Sequence, residues 1–257
     1  MEKIIAIAGG VGPMAGVELH RKIIENTDAG GTDQGHLPVH HISRSHDIPD
    51  RTAYLRGESA DNPAAAMAKV AAILSASARA AGQEMVLGIP CNTFHAPRIW
   101  DDFSRQLKEA GVGHIQVLHM IAETAAYIGA NFPKAKKIGL MSTTGTRQLR
   151  LYHDLLEPIG YEMVEVPEEI QDELHDSIYN PEWGLKGVSP VSDHARENFE
   201  RYADVIVKAG AEVIILGCTE IPLALTAEKF AGVPLVDAMT ALARALIREA
   251  NIKKLKA

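Results

Sequence analysis

The chain of 257 residues holds two cysteines, Cys91 and Cys218. Both stand in polar company at the end of an apolar run: Cys91 in Ile89-Pro-Cys-Asn-Thr-Phe-His95, Cys218 in Leu216-Gly-Cys-Thr-Glu-Ile-Pro222. A lone cysteine is either a small buried hydrophobe or a reactive thiol, and two in matched settings share one explanation. Two cysteines cannot build a disulfide framework. A structural metal wants four ligands, commonly with a closely spaced pair, and no Cys-x-x-Cys is present. His36, His40, His41 and His46 crowd one stretch, yet Pro38, Pro49 and the apolar residues there read as extended chain. Nucleophilic attack by Cys91 with His95 as base suits their spacing but leaves Cys218 without a task. Proton transfer employs both: a thiolate removes a proton from one face of a carbon, a thiol returns one to the other, and a stereocentre inverts. A helix start after each cysteine would lower the thiol pKa from about 8.5 and offer N–H groups to a carboxylate.

The elements that must position these residues are legible as alternation. Short apolar runs at 4–8, 38–42, 85–89, 114–118, 137–141, 162–166, 213–216 and 233–236 read as strands. Amphipathic or alanine-rich stretches at 14–26, 63–81, 98–110, 122–131, 147–159, 195–209, 223–230 and 238–250 read as helices. Uniformly apolar strands followed by helices imply an α/β fold with parallel sheets covered on both faces.

The pattern repeats. Lys3-Ile-Ile-Ala-Ile-Ala-Gly-Gly10 resembles Lys136-Lys-Ile-Gly-Leu-Met-Ser-Thr143, and the Ala81-Gly-Gln-Glu that leads to Cys91 resembles the Ala209-Gly-Ala-Glu that leads to Cys218. The order of matches is preserved at about half the chain length. We therefore expect two similar parallel-sheet α/β domains related by a pseudo-two-fold axis, residues 1–120 and 121–237, with helix 238–257 packing back on the first. Ligands of open parallel sheets sit beyond the carboxyl ends of strands. The expected active site is thus the cleft between the domains, with one thiol from each.

The bulk composition excludes several classes. Lys and Arg number 26 against 33 Asp and Glu, a net charge of −7, so the basic face of a non-specific nucleic-acid binder is missing. An apolar fraction of 46% is ample for a core and excludes disorder. No run reaches the ~18 apolar residues of a membrane span. The opening Ile4–Ala8 run is too short for a signal peptide and ends in two glycines as a first strand does, so the expected location is cytoplasmic.

The motifs resemble those of the cofactor-independent aspartate/glutamate racemase family, in its aspartate racemase branch, nearly end to end. The carriers are Gly9-Gly-Val-Gly-Pro-Met-Ala15, Ile48-Pro-Asp-Arg-Thr52, Pro90-Cys-Asn-Thr-Phe-His95, Thr143-Thr-Gly-Thr146, Ile178-Tyr followed by Gly184-Leu-Lys186, and Leu216-Gly-Cys-Thr-Glu-Ile-Pro-Leu223. Glutamate racemases of cell-wall synthesis carry Asp-Ser-Gly near the start and histidine after the second Cys-Thr; here Gly-Val-Gly and Glu220 stand there. The resemblance implies a homodimeric, two-domain enzyme that racemises aspartate or glutamate without pyridoxal phosphate, metal or nucleotide. Carried over residue by residue, Cys91 and Cys218 are the acid–base pair, with Cys218 serving the L-isomer and Cys91 the D-isomer. Asn92, Thr93, Thr143 and Thr219 would hold the α-carboxylate and ammonium. Arg51 and Lys186 match positions that bind the distal carboxylate, which suits a guanidinium fork and a point charge.

Other readings have their own marks. Gly10-Val-Gly12-Pro-Met-Ala15 after a strand has the outline of a dinucleotide fingerprint, but the acid that should end the second strand is replaced by His40-His-Ile-Ser43. A sensor of acidic metabolites would suit two lobes and give the paired cysteines no purpose. A hydantoin racemase or decarboxylase type of carbon-acid enzyme would tend to depart at one of the cysteines, and a racemase of broader amino-acid range would need a pocket shaped differently, with Trp183 as one candidate wall.

Overall fold

A computed structural model describes residues 2–257. The chain forms two compact units: one comprises the chain through Glu123 together with Met239–Ala257, the other Thr124–Ala238.

The first unit contains β1 (Ile4–Gly9), α1 (Pro13–Asn26), β2 (Val39–Ser43), α2 (Arg51–Arg56), α3 (Pro63–Ala80), β3 (Met85–Gly88), α4 (Pro97–Glu109) and β4 (Gln116–Leu118). Its sheet has the order β2-β1-β3-β4 and all its pairs are parallel. β1 is wholly buried and apolar, as a central strand covered on both faces must be. Helix α3 presents Met67, Val70, Ala71 and Leu74 to the core at helical spacing. The chain leaves this unit within α5 (Met120–Asn131).

The second unit contains β5 (Lys137–Met141), α6 (Thr144–Gln148), α7 (His153–Leu156), β6 (Glu162–Glu165), α8 (Glu168–Tyr179), α9 (Asp193–Lys208), β7 (Val213–Leu216), β8 (Lys229–Phe230) and β9 (Val233–Asp237). Its sheet runs β6-β5-β7-β9-β8, parallel except for the last pair. Apart from β8, this order repeats that of the first sheet: β5 and β6 stand where β1 and β2 do, and β7 and β9 where β3 and β4 do. Cys91 follows β3 and Cys218 follows β7, the equivalent strand. The chain then re-enters the first unit in α10 (Ala238–Asn251). There it packs tightly on β3, since a Cβ added at Gly88 would come within 2.8 Å of Leu246.

The parallel α/β architecture agrees with the sequence reading, and two helix expectations are corrected. The helix expected at 147–159 is broken into α6, α7 and a 3-10 turn at Glu157–Ile159, because Arg150 takes a left-handed φ of 51° and Pro158 cannot donate a helical hydrogen bond. The helix expected at 223–230 is absent: a 3-10 turn spans Ile221–Leu223, and Phe230 pairs with Val233 in a hairpin. Ala231 and Gly232 both have positive φ, as a two-residue hairpin turn of that hand requires. Helices α2 and α8 were not anticipated. Among the described residues no helix is long and apolar enough to cross a membrane.

The glycine motif after β1 has a packing explanation. Gly10 sits at φ 102°, and a Cβ there would lie 2.7 Å from the backbone nitrogen of Arg44, just beyond β2. Close approach of two backbones, with positive φ, restricts the position to glycine.

Candidate functional site

Two loops, one in each unit, carry the two cysteines. In the first unit β3 ends at Gly88 and the chain turns sharply through Pro90, so that the Cys91 N–H donates to the carbonyl of Ile89 at 2.9 Å. A 3-10 turn at Thr93–His95 follows, and α4 starts only at Pro97. The helix expected at 98–110 is α4, and because it starts six positions after Cys91, no helix N-terminus directly follows the thiol. Phe94 anchors the turn in the core, edge-on to Phe103 at 5.4 Å. Cys91, Asn92 and Thr93 are buried beside it.

His95 does not serve the Cys91 thiol in this arrangement. Its Nδ1 lies 2.8 Å from the Cys91 carbonyl oxygen. A carbonyl can only accept, so Nδ1 carries the proton. The ring stacks on Trp100 at 4.8 Å and lies 4.6 Å from that of His119. Burial, reinforced by His119, pushes its pKa down to about 3, so the ring is neutral. Arg51 opens α2, whose N-cap is Asp50, and its guanidinium donates to the carbonyl of Pro49 at 3.2 Å.

In the second unit β7 ends at Leu216, and Gly217 extends its parallel pairing with β5, donating to the carbonyl of Met141 at 2.7 Å. A Cβ at Gly217 would meet that same oxygen at 2.9 Å and Leu140 at 2.7 Å. Cys218 follows and is 7% exposed. Its thiol donates to Glu220 Oε2 at 3.1 Å, and the Thr219 hydroxyl donates to the same oxygen at 2.9 Å. The other carboxylate oxygen, Oε1, is ion-paired with the Lys186 ammonium. Glu220 keeps 7% of its side-chain exposure and Lys186 24%.

The electrostatics of this cluster are coupled. Burial would raise the Glu220 pKa, but Lys186, with the Cys218 and Thr219 hydrogen bonds, holds it below its ordinary value. Burial works against the charged Lys186 too, and Glu220 outweighs it. Burial, and then the Glu220 charge, push the Cys218 thiol well up, with Lys186 opposing. Cys218 thus rests protonated. This corrects the expectation of a thiol acidified by a helix start, since only a 3-10 turn follows.

The remaining sequence candidates in this unit have defined places. Thr143 is buried and caps α6, its Oγ1 accepting from the Thr146 N–H at 3.4 Å. The N–H of Thr144 donates to His175 Nδ1 at 3.3 Å. His175 stacks on Tyr179 at 4.7 Å, and the Lys186 ammonium lies 5.5 Å over the Tyr179 ring. Trp183 packs edge-on against His194 at 4.3 Å.

Structure therefore joins Cys218, Thr219 and Lys186 in one cluster and adds Glu220, a group the sequence displayed only as a departure from the glutamate racemase pattern. His175 was missed, because α8 that carries it was not foreseen, and Tyr179 stood in the Ile178-Tyr motif without an assigned role. No group of three or more His, Cys, Asp or Glu among the described residues could hold a metal ion, so the histidine-rich stretch after α1 does not converge.

The sequence profile of the Asp/Glu/Hydantoin racemase family matches residues 8–246. The chain belongs to that family. Among solved structures it is similar to an aspartate racemase from Picrophilus torridus, 29% identical with a TM-score of 0.79, covering 99% of this chain and 96% of the other. It is also similar to an aspartate racemase homologue from Pyrococcus horikoshii OT3, 25% identical with a TM-score of 0.69, covering 97% and 99%. A glutamate racemase from Francisella tularensis subsp. tularensis SCHU S4, solved with D-glutamate, shares the fold at 16% identity and a TM-score of 0.60. A curated relative from Pectobacterium carotovorum, an uncharacterised protein of the pnlA 3′ region, is 34% identical over 97 residues. That match covers 36% of this chain, which spans about half, 57%, of that relative's length.

Proposed function

We propose that the protein is an amino-acid racemase that interconverts the L- and D-isomers of aspartate, or of glutamate, by two-base proton transfer at Cα with Cys91 and Cys218. The observation that carries the reading is the equivalence of the two cysteine loops: each follows the equivalent strand of its own sheet, and each presents a buried cysteine with a buried threonine one or two positions on. Family membership supports racemase chemistry. The similarity to aspartate racemases and the cations Arg51 and Lys186 support a dicarboxylic substrate.

The roles follow from the chemistry. One cysteine takes the Cα proton as thiolate while the other, as thiol, delivers a proton to the opposite face. Cys218 acts on the L-isomer and Cys91 on the D-isomer. The hard step is the build-up of charge on the α-carboxylate, because a thiolate is a far weaker base than the carbanion it creates. Fixed donors aimed at that carboxylate are the available remedy, each worth about 3 kcal/mol when preorganised. Asn92, Thr93 and Thr143 are assigned to it. Thr219 spends its hydroxyl proton on Glu220, so its oxygen is suited to accept from the substrate ammonium. Arg51 and Lys186 take the distal carboxylate. The reaction needs no cofactor or metal, and the enzyme acts as a cytoplasmic homodimer.

Proton NMR in deuterated water tests the proposal. Purified protein without added cofactor should erase the α-proton signal of L-aspartate or L-glutamate, with the D-isomer found by chiral chromatography. Persistence of the α-proton with both substrates would refute it.

A further inference from the structure

The distal carboxylate of the substrate must find Lys186, yet that ammonium is already held by a carboxylate of the protein, Glu220. The other oxygen of Glu220 holds the proton of the thiol that has to become a base, at 3.1 Å. Three groups are thus linked in a line: ammonium, carboxylate, thiol. Whatever draws Lys186 away changes what Glu220 can do for Cys218.

We propose that Glu220 is the proton acceptor for Cys218, and that a distal carboxylate on the substrate, by engaging Lys186, releases Glu220 for that task. The inference rests on the racemase reading above and adds to it a switch operated by the substrate. In the resting cluster Lys186 stabilises the charged carboxylate, and the proton stays on sulfur. With Lys186 engaged elsewhere, Glu220 is a buried carboxylate with only hydroxyl and thiol partners, and burial without a counter-charge favours its neutral form. The proton then moves from Cys218 Sγ to Glu220 Oε2, leaving a thiolate and a neutral carboxylic acid. The thiolate takes the Cα proton and becomes a thiol again, while Cys91 delivers its own proton and is left as thiolate. On product release Lys186 returns to Glu220, whose proton passes to water, and Cys91 recovers one from water. Protons and charge balance over the cycle.

The surroundings permit this exchange. The charged and titratable groups that interact with the pair are Lys186, itself near Tyr179, and Tyr152, itself near Asp237. Lys186 is the single cation named among them, so its position governs where the one negative charge resides. A consequence is that a distal carboxylate should act on kcat and not only on binding, since a substrate lacking it leaves Lys186 on Glu220.

The two-cysteine composition makes the test direct. In Cys91→Ser the remaining thiol is Cys218, and its ionisation is read by ultraviolet thiolate absorbance, with binding followed by calorimetry. Bound L-aspartate should raise the thiolate signal; L-alanine, which has no distal carboxylate, should not. Adding Glu220→Gln should abolish the rise, while Glu220→Asp retains part of it. In the otherwise native enzyme Glu220→Gln should lower kcat about 100-fold with little change in KM, a split that loss of a merely structural carboxylate would not produce. A rise that survives Glu220→Gln, or bound L-aspartate without any rise in the parent, overturns the proposal. If the Gln variant does not fold, the comparison of L-aspartate with L-alanine still decides. Wild-type α-proton exchange without the thiolate signal defeats this inference alone, whereas no exchange and no aspartate binding defeats the racemase reading beneath it.

Discussion

Replacement of Lys186 by methionine probes the cluster through stability. Glu220 keeps 7% of its side-chain exposure, and its nearest cation is Lys186. Removing one member of a buried pair strands the other charge. The stranded carboxyl can escape by protonation, which caps the cost. In the native protein its folded pKa lies below the ordinary 4.5. That pairing contributes stability above pH 4.5 which is lost as pH falls through the folded value. In Lys186→Met burial raises the folded pKa above 4.5, so the sign reverses: the variant is best off below pH 4.5 and loses stability as pH rises. At pH 7 the protonation penalty is about 2.5 pH units at 1.36 kcal/mol each, so the variant should be less stable by about 3 kcal/mol. Near pH 4.5 the gap should shrink to about 1 kcal/mol or less. Urea unfolding of both proteins between pH 4.5 and 7.5, followed by circular dichroism, measures it. A difference that stays constant with pH would refute the claim that Glu220 is held ionised by Lys186.

Other positions yield independent outcomes. Gly217→Ala sets a methyl within 2.9 Å of the Met141 carbonyl oxygen, so it should cost about 1–3 kcal/mol and depress racemisation by shifting Cys218; thermal unfolding and a chiral assay report the two effects. Phe94→Ala empties the fully buried space under the Cys91 loop and should cost about 3–5 kcal/mol in urea unfolding. His95, with its folded pKa pushed by burial down to about 3 against an ordinary 6.5, contributes stability above pH 6.5 that is lost as pH falls. His95→Gln should therefore remove about 2 kcal/mol of the stability change between pH 7 and pH 5, read from urea midpoints at both values.

What sequence inspection captured, and what escaped it, follows from the range of the forces involved. Runs such as Ile4–Ala8 and Val213–Leu216 are uniformly apolar because both sheet faces are covered, and their strands fall at 4–9 and 213–216. Helix α9 shows its buried face at helical spacing in Ala195, Phe199, Tyr202 and Ile206. The stretch at 147–159 also looks helical by composition, but the left-handed Arg150 reflects tertiary demands that periodicity does not record. Residues 223–230 failed for a similar reason, since pairing of Phe230 with Val233 overrides the local preference. In the candidate site the cysteines stood out by type and by repetition. Glu220 was in plain view after Cys-Thr, yet its partner Lys186 is 34 residues earlier, and no local pattern links a carboxylate to an ammonium at that separation. The consequence, a Cys218 that rests as thiol, belongs to packing and not to the motif.

The central claim is that both thiols move the Cα proton. Its most direct test compares racemisation of aspartate and glutamate by the wild type with that of Cys91→Ser, Cys218→Ser and the double variant, using chiral chromatography and verifying the fold by circular dichroism. Loss of racemisation in each single variant, with no further loss in the double, is the predicted result. A folded double variant that still racemises either substrate would contradict the account.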